Sequence, residues 1–303
     1  MSCLLGCGYF EEVGGFGARE YRNNAFSDIL KRDHPSSMAD AVGFVGDEGF
    51  RAASRLLDSA KIRKDENGQV VKSLPAVNLA FGFQEPIFEW MSKPEEAWRG
   101  QRLGKAMQQL HRMSNGNVGI DYPWSTLTSP IIDVGGGIGS LELALLEDQR
   151  NIHLKFVIFD IPNTTENAAK LWSTQSTSML SRVSFMAGDF LAPIPSDTNI
   201  PKGQPTYVVR HVLHDWTDDE VVTILSNVRN AMATNSLLLI CDMLLQANSS
   251  RFVRATSMQL LALNNGITRT EGDMIHLLEK AGFSVRKVHK MRAVDSIIEA
   301  VIT

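Results

Sequence analysis

Two histidines stand beside an aspartate and a tryptophan in the stretch RHVLHDW, Arg210 to Trp216. A histidine can act as a general base because its unperturbed pKa of about 6.5 leaves it neutral near pH 7. Asp242 closes a later apolar run, SLLLICDM, and its carboxylate could fix the tautomer of a nearby imidazole and stabilise the charged form. The types and spacing predict a histidine–carboxylate pair. A structural histidine and a metal-binding pair are alternatives, although HxxH has no clear third ligand here.

A glycine-rich turn, DVGGGIG, runs from Asp133 to Gly139 before a helical pattern. Gly135 and Gly137 would let the backbone turn sharply and approach a ligand where a side chain would collide. A dinucleotide fingerprint would place its third glycine at position 140, where Ser140 stands, so the spacing favours S-adenosylmethionine over a nicotinamide dinucleotide. Asp160 ends the next apolar run, where a carboxylate accepts hydrogen bonds from ribose hydroxyls.

The triplet GDF, Gly188 to Phe190, follows a third apolar run. Asp189 could hold an adenine by a hydrogen bond and Phe190 could contact its face. An ordinary turn explains the triplet equally well.

The elements that must position these residues are strands alternating with helices after Pro130, a pattern typical of a mostly parallel sheet. The five runs PIIDVGG, LKFVIFDI, VSFMAGD, PTYVVR and SLLLICDML are followed by FSVRKVHKM and SIIEAVI. Seven strands are therefore predicted. Because only RAVD separates the last two, we expect an antiparallel hairpin at one edge. His211 and His214 then lie at the carboxyl end of the fourth strand, where open α/β sheets bind ligands.

The chain before Pro130 has a different pattern. FEEVGGFGAREYR predicts a hairpin, and helical segments are predicted around Met38–Ala60, Pro86–Met91 and Glu95–Met113. The segment from Ser114 to Pro130 is rich in Gly, Asn, Pro and Ser and predicts a connection. We therefore expect a mainly helical region over residues 1–113 and a ligand-binding domain over residues 114–303.

The amino-acid composition limits the classes of partner that the protein is expected to bind. The chain has 303 residues, 44% of them apolar, and a net charge of −4 without a basic block, which argues against nucleic acid and anionic membranes. It contains no apolar run near the roughly 20 residues that span a bilayer, and its start lacks the features of a signal peptide. Cys3, Cys7 and Cys241 are too irregularly spaced for a disulfide framework or zinc site, so we expect a cytoplasmic protein.

The motifs DVGGGIG, FDIP, GDF, RHVLHDW and LLLICDM, in this order and spacing, resemble the class I S-adenosylmethionine-dependent O-methyltransferases of the plant caffeate and flavonoid type and their fungal secondary-metabolism relatives. The similarity covers nearly the whole chain and is most specific between Asp133 and Asp242. It implies a Rossmann-like domain preceded by a partial winged helix. It also implies transfer of a methyl group to a hydroxyl of a small, phenolic substrate, without a metal.

The resemblance implies a role for each matching residue. His214, directly before Asp215, falls on the family's catalytic base, whereas His211 does not, and Asp242 matches an acid that supports the base. Met107 and Asn264 match the substrate pocket. The cofactor residues implied are Gly135, Gly137, Asp160, Asp189, Phe190 and Arg210.

Two departures from the family pattern stand out. Thr268 occupies the position of the family's second supporting acid, for which the nearby Glu271 could substitute. The chain is also expected to start within the wing of the N-terminal element, which leaves open the homodimer that the family's N-terminal helices build. A non-catalytic protein that keeps the fold as an interaction module is therefore the alternative function, and an NAD-dependent oxidoreductase is a second.

Overall fold

The computed structural model describes residues 7–61, 63–64, 67, 70–71, 73–193 and 198–303. Its N-terminal region opens with the predicted hairpin, β1 (Phe10–Val13) paired antiparallel with β2 (Glu20–Asn23), and a second small hairpin follows later. The remaining elements are short helices and one long one. In chain order they are α1 (Ala25–Asp28), α2 (Ala39–Phe44), a π-helical turn (Val45–Gly49), α3 (Phe50–Ala53), α4 (Leu56–Ser59), β3 (Arg63–Lys64), β4 (Val70–Val71), α5 (Ala76–Phe81), α6 (Ile87–Met91) and α7 (Ala97–Asp121).

Helix α7 corrects one prediction. A connection was expected from Ser114, but the helix continues to Asp121, and the predicted boundary between residues 113 and 114 lies inside it. The polar residues that resemble a loop in sequence are buried in contact with the second domain. Asn115 Nδ2 donates to the backbone oxygen of Ser140 at 3.0 Å. These small polar residues are therefore part of a helix that contacts the backbone at the start of α8.

The second region is the predicted α/β domain. In chain order its elements are β5 (Ile131–Val134), α8 (Ser140–Leu146), β6 (Phe156–Asp160), α9 (Pro162–Trp172), α10 (Thr177–Leu180), β7 (Val183–Ala187), β8 (Thr206–Arg210), α11 (Asp218–Ala231), β9 (Leu237–Met243), α12 (Arg251–Asn264), α13 (Glu271–Lys280), β10 (Phe283–Lys290) and β11 (Asp295–Ile302). The sheet order is β10-β11-β9-β8-β5-β6-β7. Strands β5 to β9 are parallel, and β11 pairs antiparallel with both β9 and β10. All seven predicted strands and the edge hairpin are confirmed.

Apolar side chains on both faces of this sheet form two cores. One core packs β5, β8 and β9 against α11 and α13, and the other packs the opposite face against α8, α9 and the end of α7. A third core holds the N-terminal helices together and includes Ala262 and Leu263 of α12. Helix α7 contributes to the second and third cores, and α12 of the α/β domain packs in the third. Hydrogen bonds of Ser114 to Arg210 and of Asn264 to Asp215 place these helices beside the carboxyl end of β8.

The sheet reverses its order between β5 and β8, because the chain runs outward through β6 and β7 and then crosses back to β8. Open α/β sheets bind ligands in the crevice at such a reversal. The glycine-rich turn follows β5, and RHVLHDW follows β8, so the two strongest motifs meet at this crevice.

Candidate active site

Hydrogen bonds fix the loop that carries His214 on both sides of the histidine. Leu213–Asp215 form one 3-10 turn, and Thr217 then caps α11 in a capping box with Glu220. The Arg269 guanidinium donates to the backbone oxygens of Leu213 at 2.6 Å and Trp216 at 2.7 Å. Arg269 is thus a positioning residue that the sequence motifs did not single out.

His214 and Asp242 meet as the sequence suggested. His214 Nδ1 lies 2.6 Å from Asp242 Oδ1, which also accepts a hydrogen bond from the Met243 amide at 2.8 Å. A carboxylate only accepts, so Nδ1 carries the hydrogen and Nε2 is left to exchange a proton. His214 Nε2 lies 3.9 Å from Asp215 Oδ1, and that oxygen accepts a hydrogen bond from Asn264 Nδ2 at 2.7 Å.

The charge state of His214 differs from the expectation of a neutral imidazole. Burial opposes the imidazolium, but the carboxylates of Asp242, Asp215 and Asp295 outweigh it and raise the pKa of His214 to about 9. The surrounding carboxylates therefore favour the protonated form of His214, which the unperturbed value of about 6.5 did not indicate. The ring could accept a proton at Nε2 only after it has lost one, which higher pH favours.

The glycine-rich turn has the form that close approach of a ligand requires. Gly135 has a φ of +77°, and a Cβ there would lie 2.5 Å from Val212 Cγ2 and 3.4 Å from Phe190 Cε1. Gly137 has a φ of +60°, and a Cβ there would meet nothing within 4 Å. The turn is thus packed against the histidine loop at Gly135 and open at Gly137.

Asp160 closes β6 directly beside this turn. Its Oδ2 accepts from the Gly137 amide at 2.9 Å and its Oδ1 accepts from the Ile161 amide at 2.8 Å. Burial raises the pKa of Asp160, and these two amide hydrogen bonds oppose that rise. The carboxylate is therefore held at the strand end where the sequence predicted a ribose contact.

Asp189 and Phe190 follow β7 at the next position along the sheet. Asp189 is exposed, and its Oδ1 accepts from the Leu191 amide at 2.8 Å. The Phe190 ring is partly buried and lies edge-on to Trp216, with ring centroids 5.9 Å apart. An aromatic wall of two rings therefore borders the glycine-rich turn, and Trp216 is a member that the sequence motifs had not assigned.

Arg210 is buried below the loop. Its Nη2 donates to Ser114 Oγ at 3.2 Å and lies 3.7 Å from Asp295 Oδ2, while its Nε has no hydrogen-bond partner among the described residues. Two buried carboxyls, Asp133 and Glu142, lie near it, and burial raises the pKa of both. The cation therefore sits in an acidic, enclosed setting and keeps one unused donor.

The two residues expected in the substrate pocket lie on different helices. Met107, on α7, is partly buried and packs against the third core, and Asn264, at the end of α12, contacts Asp215 as described above. Thr268 is buried, and its hydroxyl has no hydrogen-bond partner in the part of the chain that the structure describes. The Glu271 carboxylate lies 4.0 Å from Lys290 Nζ. The carboxylates that raise the pKa of His214 are those of Asp242, Asp215 and Asp295.

The structure also brings together three residues to which the sequence gave no role, namely His111, His211 and Asp295. His211 lies 2.8 Å from Asp295 and 3.1 Å from His111. The first histidine of the HxxH pattern was a visible signal. Its partners lie far away in sequence, so no spacing could have pointed to them.

Comparison with known proteins identifies the family. Residues 62–284 match the O-methyltransferase domain family. The O-methyltransferase tpcA of Aspergillus fumigatus is 34% identical over 99% of this chain and 70% of its own length. This chain belongs to the O-methyltransferase family. The predicted S-adenosylmethionine-dependent enzyme class is thereby confirmed at the level of the family.

Three further proteins are similar to this chain. The mitomycin biosynthesis 6-O-methyltransferase of Streptomyces lavendulae is 31% identical over 95% of this chain and 75% of its own length. The solved structure of the mitomycin 7-O-methyltransferase MmcR aligns with a TM-score of 0.81 and 26% identity over all of this chain and 82% of that one. The O-methyltransferase NcsB1, solved with S-adenosylmethionine and 2-hydroxy-5-methyl naphthoic acid, has a TM-score of 0.77 at 23% identity, covering all of this chain and 83% of that one, and shares the fold.

Three other expectations concern the chain as a whole. None of the helices in the described ranges has the length and apolar character needed to cross a bilayer. Within the same ranges, no three His, Cys, Asp or Glu side chains are grouped to hold a metal ion. Cys7 is exposed and Cys241 is buried, both as free thiols, and Cys3 lies outside the described residues.

Proposed function

We propose that this O-methyltransferase transfers the methyl group of S-adenosylmethionine to a phenolic hydroxyl of a small aromatic substrate, with His214 as the general base. The observation that carries the proposal is the His214–Asp242 pair, joined at 2.6 Å, at the same crevice as the glycine-rich turn. Its Nε2 is the only ring nitrogen left to take a proton.

The residues around the crevice fit the cofactor. Gly137 is open where a ligand would approach the backbone, and Asp160 stands beside it as the acceptor for ribose hydroxyls. Asp189, with Phe190 and Trp216, would hold the adenine by a hydrogen bond and by ring contacts. The unpartnered Nε of Arg210 would serve the carboxylate of the methionine moiety.

When bound, S-adenosylmethionine supplies an electrophilic methyl group on a sulfonium. The protein would first position the substrate hydroxyl in line with that methyl group, which turns a bimolecular step into an intramolecular one. Methyl transfer would leave S-adenosylhomocysteine as the product, with the electron pair of the broken carbon–sulfur bond on sulfur. The hydroxyl proton passes to His214 Nε2, and Asp242 stabilises the imidazolium that results.

The raised pKa of His214 refines this scheme. Protonated His214 cannot accept the proton, so the base must lose its own proton before or during substrate binding. A sulfonium cation in the crevice would favour that loss because like charges repel. Cofactor binding would thus prepare the base.

The aromatic substrate class is supported by the relatives. Two of them are named for mitomycin O-methylation, and NcsB1 was solved with a hydroxynaphthoic acid. Met107 offers an apolar contact for a ring and Asn264 a polar one, and both lie on helices that cover the strand ends. We propose that the ligand-binding domain begins after helix α7 and that the region before it contains a partial winged helix. The cytoplasmic location, the lack of a nucleic-acid partner and the state of the homodimer stay predictions.

The test is calorimetric titration with S-adenosylmethionine, S-adenosylhomocysteine and, as a control, NAD. We expect both sulfur compounds to bind and NAD not to bind, and then methylation of a hydroxynaphthoic acid or a simple phenol, followed by mass spectrometry. Binding without transfer to any hydroxylated arene would favour the non-catalytic alternative. A folded protein that binds NAD instead would contradict the proposal.

A further inference from the structure

A second histidine–carboxylate pair lies beside the first. His211 Nε2 is 2.8 Å from Asp295 Oδ1, and His211 Nδ1 is 3.1 Å from His111 Nε2. The Asp295 side chain is fully buried and its other oxygen lies 3.7 Å from Arg210. A carboxylate, two imidazoles and a guanidinium therefore form one continuous polar chain under the histidine loop.

The sheet itself places the two acids side by side. In the antiparallel ladder between β9 and β11, Ser296 faces Asp242 and Asp295 faces Met243. The two histidines both come from the loop after β8. The loop after β8 and the neighbouring strands β9 and β11 thus form two histidine–carboxylate pairs, His214 with Asp242 and His211 with Asp295.

The backbone at His211 is set in an unfavourable conformation. His211 has a φ of +52°, in the left-handed region that residues other than glycine rarely adopt. Its amide donates to the Cys241 oxygen at 3.0 Å, which holds this geometry against β9. Such strain persists where the surroundings enforce it, and it is concentrated at functional sites.

We propose that His211, hydrogen-bonded to Asp295 and His111, is a positioning residue that keeps the imidazole of His214 in the orientation needed for proton transfer. The two rings stack with centroids 5.7 Å apart and an interplanar angle of 29°. Asp242 fixes one nitrogen of His214 but leaves the ring free to tilt about that hydrogen bond. The stacked ring restricts this tilt. This inference rests on the proposed role of His214.

This polar chain of side chains has a charge distribution that suits a neighbouring base that becomes positively charged. Because Asp295 can only accept, the neutral form of His211 carries its hydrogen on Nε2, and its Nδ1 accepts from His111. Burial, with the nearby His211 and Arg210, holds the pKa of His111 well below its usual range. His111 therefore adds no positive charge against the imidazolium of His214, whereas the Asp295 carboxylate favours it. Among the described residues, the titratable groups that act on His214 are Asp242, Asp215, Asp295 and His111, while His211 stacks on it and Arg210 pairs with Asp295.

The test measures the pKa of His214 by NMR titration of its ring proton in the full chain, which needs no methyl acceptor. In Asp295→Asn the loss of the negative charge should lower the pKa of His214 by about one unit, as expected for charges several ångströms apart in a protein interior. Glu299→Gln is the matched control, because Glu299 lies on the same strand and pairs with His289 at the same distance of 2.8 Å. A shift in Asp295→Asn no larger than in Glu299→Gln would overturn the inference.

Turnover supplies the second measurement. His211→Gln should lower kcat by about tenfold or more, by analogy with the loss of residues that orient metal-ligating side chains. The affinity for S-adenosylhomocysteine should stay unchanged. The same variant decides the matter if Asp295→Asn does not fold. A kcat equal to that of the wild type would overturn the role of His211. Failure of the wild type to bind S-adenosylhomocysteine or to methylate any acceptor would instead count against the proposed function itself.

Discussion

Replacing Asp242 with asparagine isolates the charge that supports His214. Asparagine keeps an oxygen that can accept from Nδ1, so the tautomer and the Met243 hydrogen bond survive, and only the negative charge is lost. Two unit charges about 4 Å apart interact by about 4 kcal/mol at an effective dielectric constant of about 20, which equals about three pKa units. This magnitude is sufficient to account for a His214 pKa raised to about 9 in spite of burial.

We therefore expect Asp242→Asn to lower the pKa of His214 by about two to three units. The pH dependence of kcat/KM should follow, because the base must be unprotonated. The acid limb of the unliganded wild-type enzyme should lie near pH 9, and the limb of the variant should lie at lower pH. A weaker base should also lower the plateau of kcat by about 10²-fold, within the range that general base catalysis supplies.

The assay is methyl transfer measured against pH for both enzymes, with the S-adenosylhomocysteine affinity measured in parallel. Asp148→Asn serves as the control, because Asp148 pairs with Arg150 at the surface. An acid limb that stays in place in Asp242→Asn, or a kcat equal to that of the wild type, would refute the reasoning.

Two further predictions follow from the geometry. Gly135→Ala, with a φ of +77° and a Cβ only 2.5 Å from Val212 Cγ2, should destabilise the fold by about 1–3 kcal/mol and weaken S-adenosylhomocysteine binding. Gly104→Ala, in open space on α7, should instead stabilise the fold by about 0.5–1 kcal/mol. Urea denaturation measures the stability of the two variants, and calorimetry measures their binding of S-adenosylhomocysteine. Equal stabilities of the two variants would contradict the steric argument. The pKa of His214 is higher in the folded chain than its usual 6.5, so its stabilising contribution is complete below pH 6.5 and is lost as pH rises through 9. The free energy of unfolding should fall by about 3 kcal/mol over that interval in the wild type and much less in His214→Ala; the same decrease in both would exclude His214 as the cause.

The sequence predicted the sheet well because its strands are compact apolar runs separated by clear turns. Helix α7 was predicted too short because Ser114 and Asn115 have the composition of a loop, while the reason for their helical state is a contact with Ser140 far along the chain. The local amino-acid composition cannot indicate a contact with a residue so distant in sequence.

The candidate site was predictable where residues follow one another in a motif. His214 and Asp242 were found in this way, at the ends of adjacent parallel strands. The raised pKa of His214 was not, because it depends on carboxylates gathered from separate elements. Asp295 is separated from His211 by 84 positions, and only the antiparallel pairing of β11 with β9 brings it to the site.

The most direct test of the central claim is turnover by His214→Ala compared with the wild type at matched cofactor saturation, with the exposed His276→Ala as the control. We predict that kcat falls by about 10²- to 10⁴-fold, the contribution of general base catalysis, while the affinity for S-adenosylhomocysteine stays close to that of the wild type. Methyl transfer at the wild-type rate by a His214→Ala enzyme would contradict the assignment of His214 as the base.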